Sequence, residues 1–173
     1  YEDYLFLIVK TTEFRDSELL TKQISFILFK DKLISINETE SNLFDDIYEK
    51  IEDITSLRKN GPDDLLYYLL DLIVDNYFNT IEQIGNSIDN LEDYLLNNPS
   101  KEFLNNLYFL KRQLIFMRTL LFHMRNVTSS ISRDGFDLID GRTIYYLMDV
   151  NEQIVQIIEM VETYRDICSN MLD

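Results

Sequence analysis

The sequence predicts an α+β fold that is mostly helical, with a small β-sheet first and long helices after it. The chain has 173 residues but only 4 Gly and 2 Pro, and so few breaking residues indicate long uninterrupted elements. Hydrophobic residues make up 46%, which is enough for a packed core. Strand-like patterns end at Asn37, and helical spacing follows them.

Three segments with strand-like patterns open the chain. Tyr4–Thr11 is an almost continuous apolar run, as in a buried strand, and Gln23–Lys30 is the second segment. Lys32–Asn37 alternates polar and apolar residues and follows after Asp31 alone, so the last two strands should form a hairpin. Because no helix separates the three, we expect a small antiparallel sheet or the edge of a larger α/β domain.

Four helices are expected after the sheet. Asn42 is a candidate cap for the first, and Asp63 and Asp64 suit the positive N-terminus of the second. Asn97-Asn98-Pro99 ends that helix, and the last helix shows no stop signal. The predicted spans are about Leu43–Leu57, Asp63–Asn97, Ser100–Ser132 and a final helix from near Leu138 or just after Gly141 to the end of the chain.

These elements divide the chain into three parts. Residues 1–60 form a partial α/β subdomain, residues 61–134 a long antiparallel helical hairpin, and residues 135–173 a final long helix. Because the chain opens directly on a strand and does not start with Met, we expect it to begin inside a domain. No segment reaches about 18 uncharged apolar residues, so we expect no membrane span within the sequence.

The charge of the chain is strongly acidic and unevenly distributed. The net charge of −15 disfavours nucleic acid and anionic membrane surfaces as partners and favours cations. Eight carboxylates and no Lys or Arg lie between Asp63 and Asn98, whereas the next helix is mostly basic. We expect these two helices to complement each other electrostatically. This pairing does not account for the excess of carboxylates on the first of the two helices.

Two carboxylate pairs stand one helical turn apart on the acidic helix. They are Asp71 with Asp75, and Asp89 with Asp93. Like charges at this spacing repel each other unless a cation neutralises them. Clusters of oxygen ligands suit Mg²⁺ or Ca²⁺. A solvated acidic face gives the same pattern, so the spacing alone leaves both interpretations open.

The last helix carries an apolar seam with alternating spacings of three and four residues. Such a seam packs either against its own domain or against copies of itself. Cys168 lies on the seam, which indicates a packing role for the only cysteine. The members of the seam are Leu147, Val150, Ile154, Ile157, Val161, Tyr164, Cys168 and Met171.

The sequence lacks the residue constellations of an enzyme. His123 is the only histidine, and it lies in an apolar stretch of a helix, where a lone histidine is more often structural. There is no Gly-rich phosphate loop, no Cys-His pair and no Glu-x-x-His element. One cysteine excludes an internal disulfide and suits a reducing cytosol. We therefore predict a protein that is not an enzyme and has no organic cofactor.

Several strings in the sequence together resemble those of a known family, and VETYRD at Val161–Asp166 is the most specific of them. The others are ISFILFKDKLISINE at Ile24–Glu38, NLFDDIYEKI at Asn42–Ile51, YYLLDLIVDNYF at Tyr67–Phe78, LKRQL at Leu110–Leu114 and IVQIIEMVETYRDICSNMLD at Ile154–Asp173. The strings resemble the CorA family of Mg²⁺/Co²⁺ transporters, in the order in which that family has them. The resemblance covers almost the whole chain.

This resemblance implies the cytosolic, metal-sensing and oligomerisation domain of a divalent-cation channel in the cell membrane. Members of the family are homopentamers in which a cytosolic α/β domain carries a long helical hairpin. A stalk helix, here residues 135–173, then continues into the membrane and lines the pore. The membrane helices and the Gly-Met-Asn selectivity motif of the family are absent from this sequence.

The resemblance also implies a set of metal ligands. In the family, cytosolic Mg²⁺ binds between neighbouring subunits and holds the channel closed. Asp149 matches the aspartate of the stalk, and Asp71 matches that of the long helix, with Asp75 one turn away. Gln153 stands where some members have a histidine, and the family's upstream acidic loop would lie before Tyr1.

Two other interpretations stay open at this point. One is a soluble helical protein-interaction module without a metal role. The other is the cytosolic domain of a related zinc transporter, because such transporters share the architecture. The implied regulatory ligand is Mg²⁺, with Co²⁺ or another divalent cation as the alternative.

Overall fold

A computed structural model describes residues 3–38, 42–45, 60–97, 101–134 and 136–172. It confirms the predicted fold class, because a three-stranded antiparallel sheet precedes three long helices. The connecting helix predicted over Leu43–Leu57 falls mostly outside the described residues. Within them, this region contains a short 3-10 helix, Asn42–Phe44, whose Phe44 is fully buried against Phe26.

The sheet is a meander of two antiparallel hairpins. Its strands are β1 (Leu5–Arg15), β2 (Glu18–Leu28) and β3 (Leu33–Asn37), in that spatial order. The predicted hairpin of the last two strands is confirmed. The predicted strands were too short at the end of β1 and at the start of β2, where a turn joins them. The polar residues around this turn hide the strand pattern.

The tip of the first hairpin is a tight two-residue turn. Arg15 pairs with Glu18, and the residues between them, Asp16 and Ser17, both have positive φ angles, of 52° and 65°. This is the backbone of a type I′ turn, which matches the twist of the flanking strands. The turn lacks the usual glycine, which is why the sequence pattern did not reveal it.

The helices are α1 (Pro62–Asn97), α2 (Lys101–Asp134) and α3 (Gly141–Asn170). The side chain of Asp140 caps α3 by accepting from the backbone N–H of Arg142. The last helix was predicted to reach the end of the chain. In the structure α3 ends at Asn170, and the next two residues form a turn.

Side-chain contacts fix the directions of the three helices. α1 and α3 run parallel, because Tyr67 contacts Tyr146 and, further along both helices, Gly85 lies against Tyr164. α2 runs antiparallel to α3, since Thr128 bonds Asn151 whereas the earlier Arg118 bonds the later Glu162. α1 and α2 are therefore antiparallel to each other, as the hairpin prediction required.

The apolar seam of α3 is buried inside its own chain. Six of its members have no exposed surface: Leu147, Val150, Ile154, Ile157, Val161 and Cys168. α3 packs extensively on α2 and also on α1, while α1 and α2 meet much less. Of the two interpretations of the seam, packing against its own domain is the one that the structure shows.

The position of α3 also alters the expected charge pairing of the long helices. Arg118 of α2 pairs with Glu162 of α3 and lies over the ring of Phe122, at 4.8 Å from its centroid. Glu162 binds Arg165 as well, at 2.8 Å. The acidic and basic helices do not complement each other at Arg118, because α3 supplies the carboxylate there.

Hydrogen bonds dock the first hairpin on the helices. Asn76 of α1 accepts from the backbone N–H and the hydroxyl of Thr12, at 3.0 and 3.2 Å. The Tyr77 hydroxyl donates to the carbonyl of Lys10, and Gln113 of α2 accepts from the N–H of Leu19 at 3.1 Å. Because these bonds are largely removed from water, the sheet is firmly attached to both helices.

Candidate metal site

The carboxylates selected from the sequence lie on two parallel helices. Asp71 and Asp75 belong to α1, and Asp149 belongs to α3. Asp71 is half-buried, while Asp75 and Asp149 are exposed. The register of the helices brings Asp71 beside the turn of α3 that contains Asp149 and Gln153. The structure therefore places the candidate ligands on adjacent surfaces of α1 and α3.

Tyr67 lies within electrostatic range of two of these carboxylates. Burial, followed by the negative charge of Asp71, raises the pKa of its phenol to about 12, and Asp149 acts in the same direction. A charge on α1 and a charge on α3 thus both lie close enough to act on one hydroxyl group. This relation could not be read from spacing, because the two aspartates are far apart in the sequence.

An aromatic cluster borders the carboxylates. The ring of Tyr67 lies 5.0 Å from that of Tyr68 and 5.1 Å from that of Tyr146, measured between centroids. Burial also raises the pKa of Tyr68, with smaller contributions from Asp64 and Tyr146. The three rings therefore join α1 to α3 beside Asp71 and Asp149.

Asp71 carries an electrostatic cost in the folded chain. Burial raises the pKa of its carboxyl, and the negative charge of Asp75 raises it further. A hydrogen bond from the side-chain amide of Gln153 acts in the opposite direction. A divalent cation would relieve both unfavourable effects, because it neutralises the two charges and replaces lost hydration.

Gln153 was singled out only through the family resemblance, and the structure gives it a contact. Its side-chain amide lies close enough to Asp71 to lower the pKa of that carboxyl, and its Oε1 atom is buried without any hydrogen-bond partner. A buried amide oxygen normally finds a partner. The donor chemistry of the site is therefore two kinds of oxygen, carboxylate and amide, which fits Mg²⁺.

A buried aspartate ties the two helices together next to the site. Oδ2 of Asp63 accepts from the backbone N–H of Asp140 at 2.9 Å and from the Thr143 hydroxyl at 2.7 Å. Asp63 is only 6% exposed. Sequence reasoning assigned this residue to the N-terminus of α1 alone, whereas it also fixes the start of α3.

The site is incomplete within one chain. Among the described residues, no three His, Cys, Asp or Glu side chains come together in a group that could hold a metal ion. Magnesium takes six oxygen ligands, several of them water. The second pair from the sequence, Asp89 and Asp93, is exposed about five turns further along α1 and does not join the site.

His123 and Cys168 also lie apart from these carboxylates. His123 is exposed on α2, where it borders an apolar groove of about 490 Å³ beside β1. Cys168 is fully buried, and burial raises the pKa of its thiol to about 11. The burial of Cys168 agrees with the packing role expected for it.

The family profile described as "CorA-like Mg2+ transporter protein" matches residues 1–173. The chain belongs to this family. It is also 38% identical over 176 residues to the cobalt/magnesium transport protein CorA of Thermotoga maritima, covering all of this chain and 50% of the relative. The resemblance inferred from the sequence strings is thereby confirmed.

Solved structures show the same fold. The soluble domain of CorA from Methanocaldococcus jannaschii superimposes with a TM-score of 0.88 at 22% identity, over all of this chain and 70% of that one. The cytoplasmic domain of ZntB from Vibrio parahaemolyticus gives 0.78 at 15% identity, over 99% of this chain and 67% of that one.

The CorA-like chain spans about half the length of the curated relatives that it matches. Among its described residues, none of the helices has a stretch long and apolar enough to cross a bilayer.

Proposed function

We propose that this CorA-like chain is the cytosolic metal-sensing and assembly part of a divalent-cation transporter, with no enzymatic activity. The observation that carries the proposal is the packing of Tyr67 of α1 on Tyr146 of α3, which places Asp71 and Asp149 on neighbouring turns of two helices in fixed register. The regulatory ligand is Mg²⁺, because hard oxygen ligands favour it, with Co²⁺ as the alternative.

The mechanism is electrostatic. Without a cation, the carboxylates of Asp71 and Asp75 repel each other, and together with Asp149 on the adjacent helix they repel any acidic groups that a neighbouring subunit brings to them. A bound Mg²⁺ removes that repulsion and bridges the groups. Loss of the ion frees α3, the stalk helix, to move relative to its neighbours, which opens the channel.

Exposed apolar side chains next to Asp149 support a contact with a neighbouring subunit. Tyr145 is 68% exposed and Met148 is 52% exposed, and both lie within one helical turn of the aspartate. Large apolar groups beside a charge are typical of a surface that another chain covers. Such a neighbour would supply the ligands that one chain lacks, within the homopentamer expected for the family.

Two alternatives are weaker on specific observations. A related zinc transporter would have the same fold, but sequence identity to a cobalt/magnesium transport protein is much higher than to the ZntB domain. A helical interaction module without a metal role gives no function to Asp71 and Asp149, which lie on neighbouring turns of α1 and α3. It predicts that millimolar Mg²⁺ does not stabilise the protein.

Replacing Asp149 tests the proposal directly. In the complete transporter, Asp149→Ala should weaken the closure of the channel by intracellular Mg²⁺, because the cation loses a carboxylate ligand. The measurement is the ionic current as a function of intracellular Mg²⁺. Asp166→Ala is the matched control, since Asp166 is exposed on the same helix but lies several turns away. Unchanged Mg²⁺ sensitivity in Asp149→Ala would exclude the sensing role.

A further inference from the structure

An apolar groove lies between β1, at the edge of the sheet, and the neighbouring side of α2. Its volume is about 490 Å³, which is within the range of small-molecule sites. The buried side chains of Val9, Leu120 and Met124 form its floor, while Ile8 and Phe116, which are 48% and 42% exposed, form its walls. Exposed apolar walls around a groove of this size indicate a surface that an apolar ligand covers.

The groove differs in charge from the chain as a whole. The chain has 31 acidic and 16 basic residues, yet none of the described residues that line the groove is an aspartate or a glutamate. Its two basic residues are Lys10 on the β1 side and His123 on the α2 side, and both are exposed. The groove therefore attracts an anionic group that the acidic surface elsewhere repels.

The backbone of β1 adds hydrogen-bond donors beside Lys10. Thr12 donates its N–H to Asn76, and the carbonyl of Lys10 accepts from the Tyr77 hydroxyl, so the backbones of Thr12 and Lys10 point away from β2. Because the backbone direction alternates along a strand, the N–H of Ile8 points the same way as that of Lys10. A carboxylate at this edge meets an ammonium group together with peptide N–H donors, which is a strong combination.

We propose that this groove binds a free fatty acid, which is a single alkyl chain that ends in a carboxylate. The alkyl chain lies on Leu120 and Met124, and the carboxylate binds the ammonium group of Lys10, with the imidazole of His123 as a further donor. This ligand fits because the groove joins an apolar floor to a cationic rim. The inference is independent of the proposed metal-sensing function, because none of the candidate metal ligands lines the groove.

A β-strand added from another polypeptide is the main alternative occupant. Such a strand binds through the free backbone groups of a sheet edge. On β1, however, Tyr77 occupies the carbonyl of Lys10, and Asn76 occupies the N–H of Thr12. The open stretch of the edge therefore ends at Lys10, which leaves few groups for a ladder. A strand also makes no specific use of the positive charge of Lys10.

The first test is calorimetric titration of the 173-residue chain with decanoate below its micellar concentration. We expect one decanoate to bind per chain. Octanoate lacks two methylene groups and should bind about tenfold more weakly, because each buried methylene changes affinity about fourfold. Decyltrimethylammonium has the same alkyl chain with the opposite charge, and its affinity should be lower by about tenfold. Equal affinities for decanoate and decyltrimethylammonium would overturn the proposal.

Matched variants locate the ligand. Phe116 and Ile115 are neighbours on α2 and are 42% and 49% exposed, but only Phe116 lines the groove. Phe116→Ala should weaken decanoate binding about tenfold through the loss of apolar contact, and Ile115→Ala should not change it. Lys10→Gln should also weaken binding about tenfold. Its control is Arg125→Gln, because Arg125 is an exposed cation of α2 that does not line the groove.

Methyl signals of methionine in NMR spectra give a second readout of the position. Met124 lines the groove, whereas Met148 is exposed on α3. Decanoate should therefore shift the signal of Met124 and leave that of Met148 in place.

Three results would show that the groove is not a fatty-acid site. They are no binding of decanoate, equal weakening by Phe116→Ala and Ile115→Ala, and an unshifted Met124 signal in the presence of bound decanoate. Binding to phosphatidylglycerol vesicles without binding to decanoate would also overturn the proposal, because the partner would then be a membrane surface. None of these results bears on the response to Mg²⁺, so the proposed function is tested separately.

Discussion

The contact between α1 and α3 has two ends with opposite character. Near the helix N-termini it is polar, with Asp63 bonded to Thr143, Tyr67 beside Tyr146, and Asp71 near Gln153. Towards the C-termini it is apolar and closely packed. There Gly85 lies against Tyr164, among buried residues that include Ile81, Ile84, Ile88, Ile157 and Val161.

This difference separates stability from the response to a cation. Buried apolar side chains contribute about 1.5–3 kcal/mol each, so the apolar end holds the two helices together. A half-buried carboxylate next to another one instead reduces stability. The apolar end therefore fixes the helix register. The polar end can then hold carboxylates that destabilise the protein without a cation and that a bound cation would neutralise.

The largest expected effect comes from a cavity in the apolar end. Ile157 has no exposed surface, and Ile157→Ala should lower the free energy of unfolding by about 2–5 kcal/mol. Urea denaturation measures the change. Glu159→Ala on the same helix is the control, because Glu159 is exposed and should change stability by less than about 0.5 kcal/mol. Similar losses in both variants would mean that the seam is not the main source of stability.

Gly85→Ala should have the next largest effect, because it tests the close approach of the helices. A Cβ atom at position 85 would lie 2.6 Å from Cζ of Tyr164. We expect a loss of about 1–3 kcal/mol from overpacking, partly offset by about 1 kcal/mol from the better helix propensity of alanine. Urea denaturation again measures the change.

Two further variants show whether Tyr164 is the cause of this loss. In the exposed control Asn86→Ala, only the gain in helix propensity should remain. Combining Gly85→Ala with Tyr164→Ala should show a coupling of about 0.5–3 kcal/mol, since the obstructing ring is gone. Strict additivity of the two changes would contradict the described contact.

The sequence predicted the apolar end better than the polar end. The seam of α3 follows from spacing, since apolar residues at every third and fourth position must share one face of a helix. Its burial within the chain did not follow, because the same spacing also suits self-association. The turn at Asp16 and Ser17 was missed, because it contains no glycine or asparagine to mark positive φ angles.

The polar end depends on tertiary structure to a greater degree. The pairing of Asp71 with Asp75 is local and visible in the sequence, whereas Asp149 was identified only through the family resemblance. Which residues of α3 face Asp71 depends on the parallel register of α1 and α3. No local pattern encodes that register, so neither the unmet oxygen of Gln153 nor the bridging role of Asp63 could be predicted.

The smallest expected effect has the opposite sign and lies at the polar end. Burial and the nearby Asp75 raise the pKa of Asp71 above its ordinary value of 3.8. Because the folded-state pKa is raised, the protonated form of Asp71 favours the folded state. The stability that this contributes is lost as the pH rises through the folded-state pKa and Asp71 ionises. Without cations at neutral pH, Asp71→Asn should therefore stabilise the chain. The gain should be below about 1 kcal/mol, because Asp71 is only half-buried and water screens it.

Two conditions sharpen the test of Asp71→Asn by urea denaturation. With a chelator present, the stability advantage of the variant should shrink as the pH falls towards the ordinary pKa of an aspartate. Asp71 of the parent then becomes protonated and no longer carries a charge. With saturating Mg²⁺ at neutral pH the order should reverse, since the parent gains a bound ion that the variant holds weakly. If the variant is less stable than the parent without cations, the Asp71 carboxylate stabilises the contact between α1 and α3. The division of this contact into a stabilising apolar end and a destabilising polar end would then be wrong.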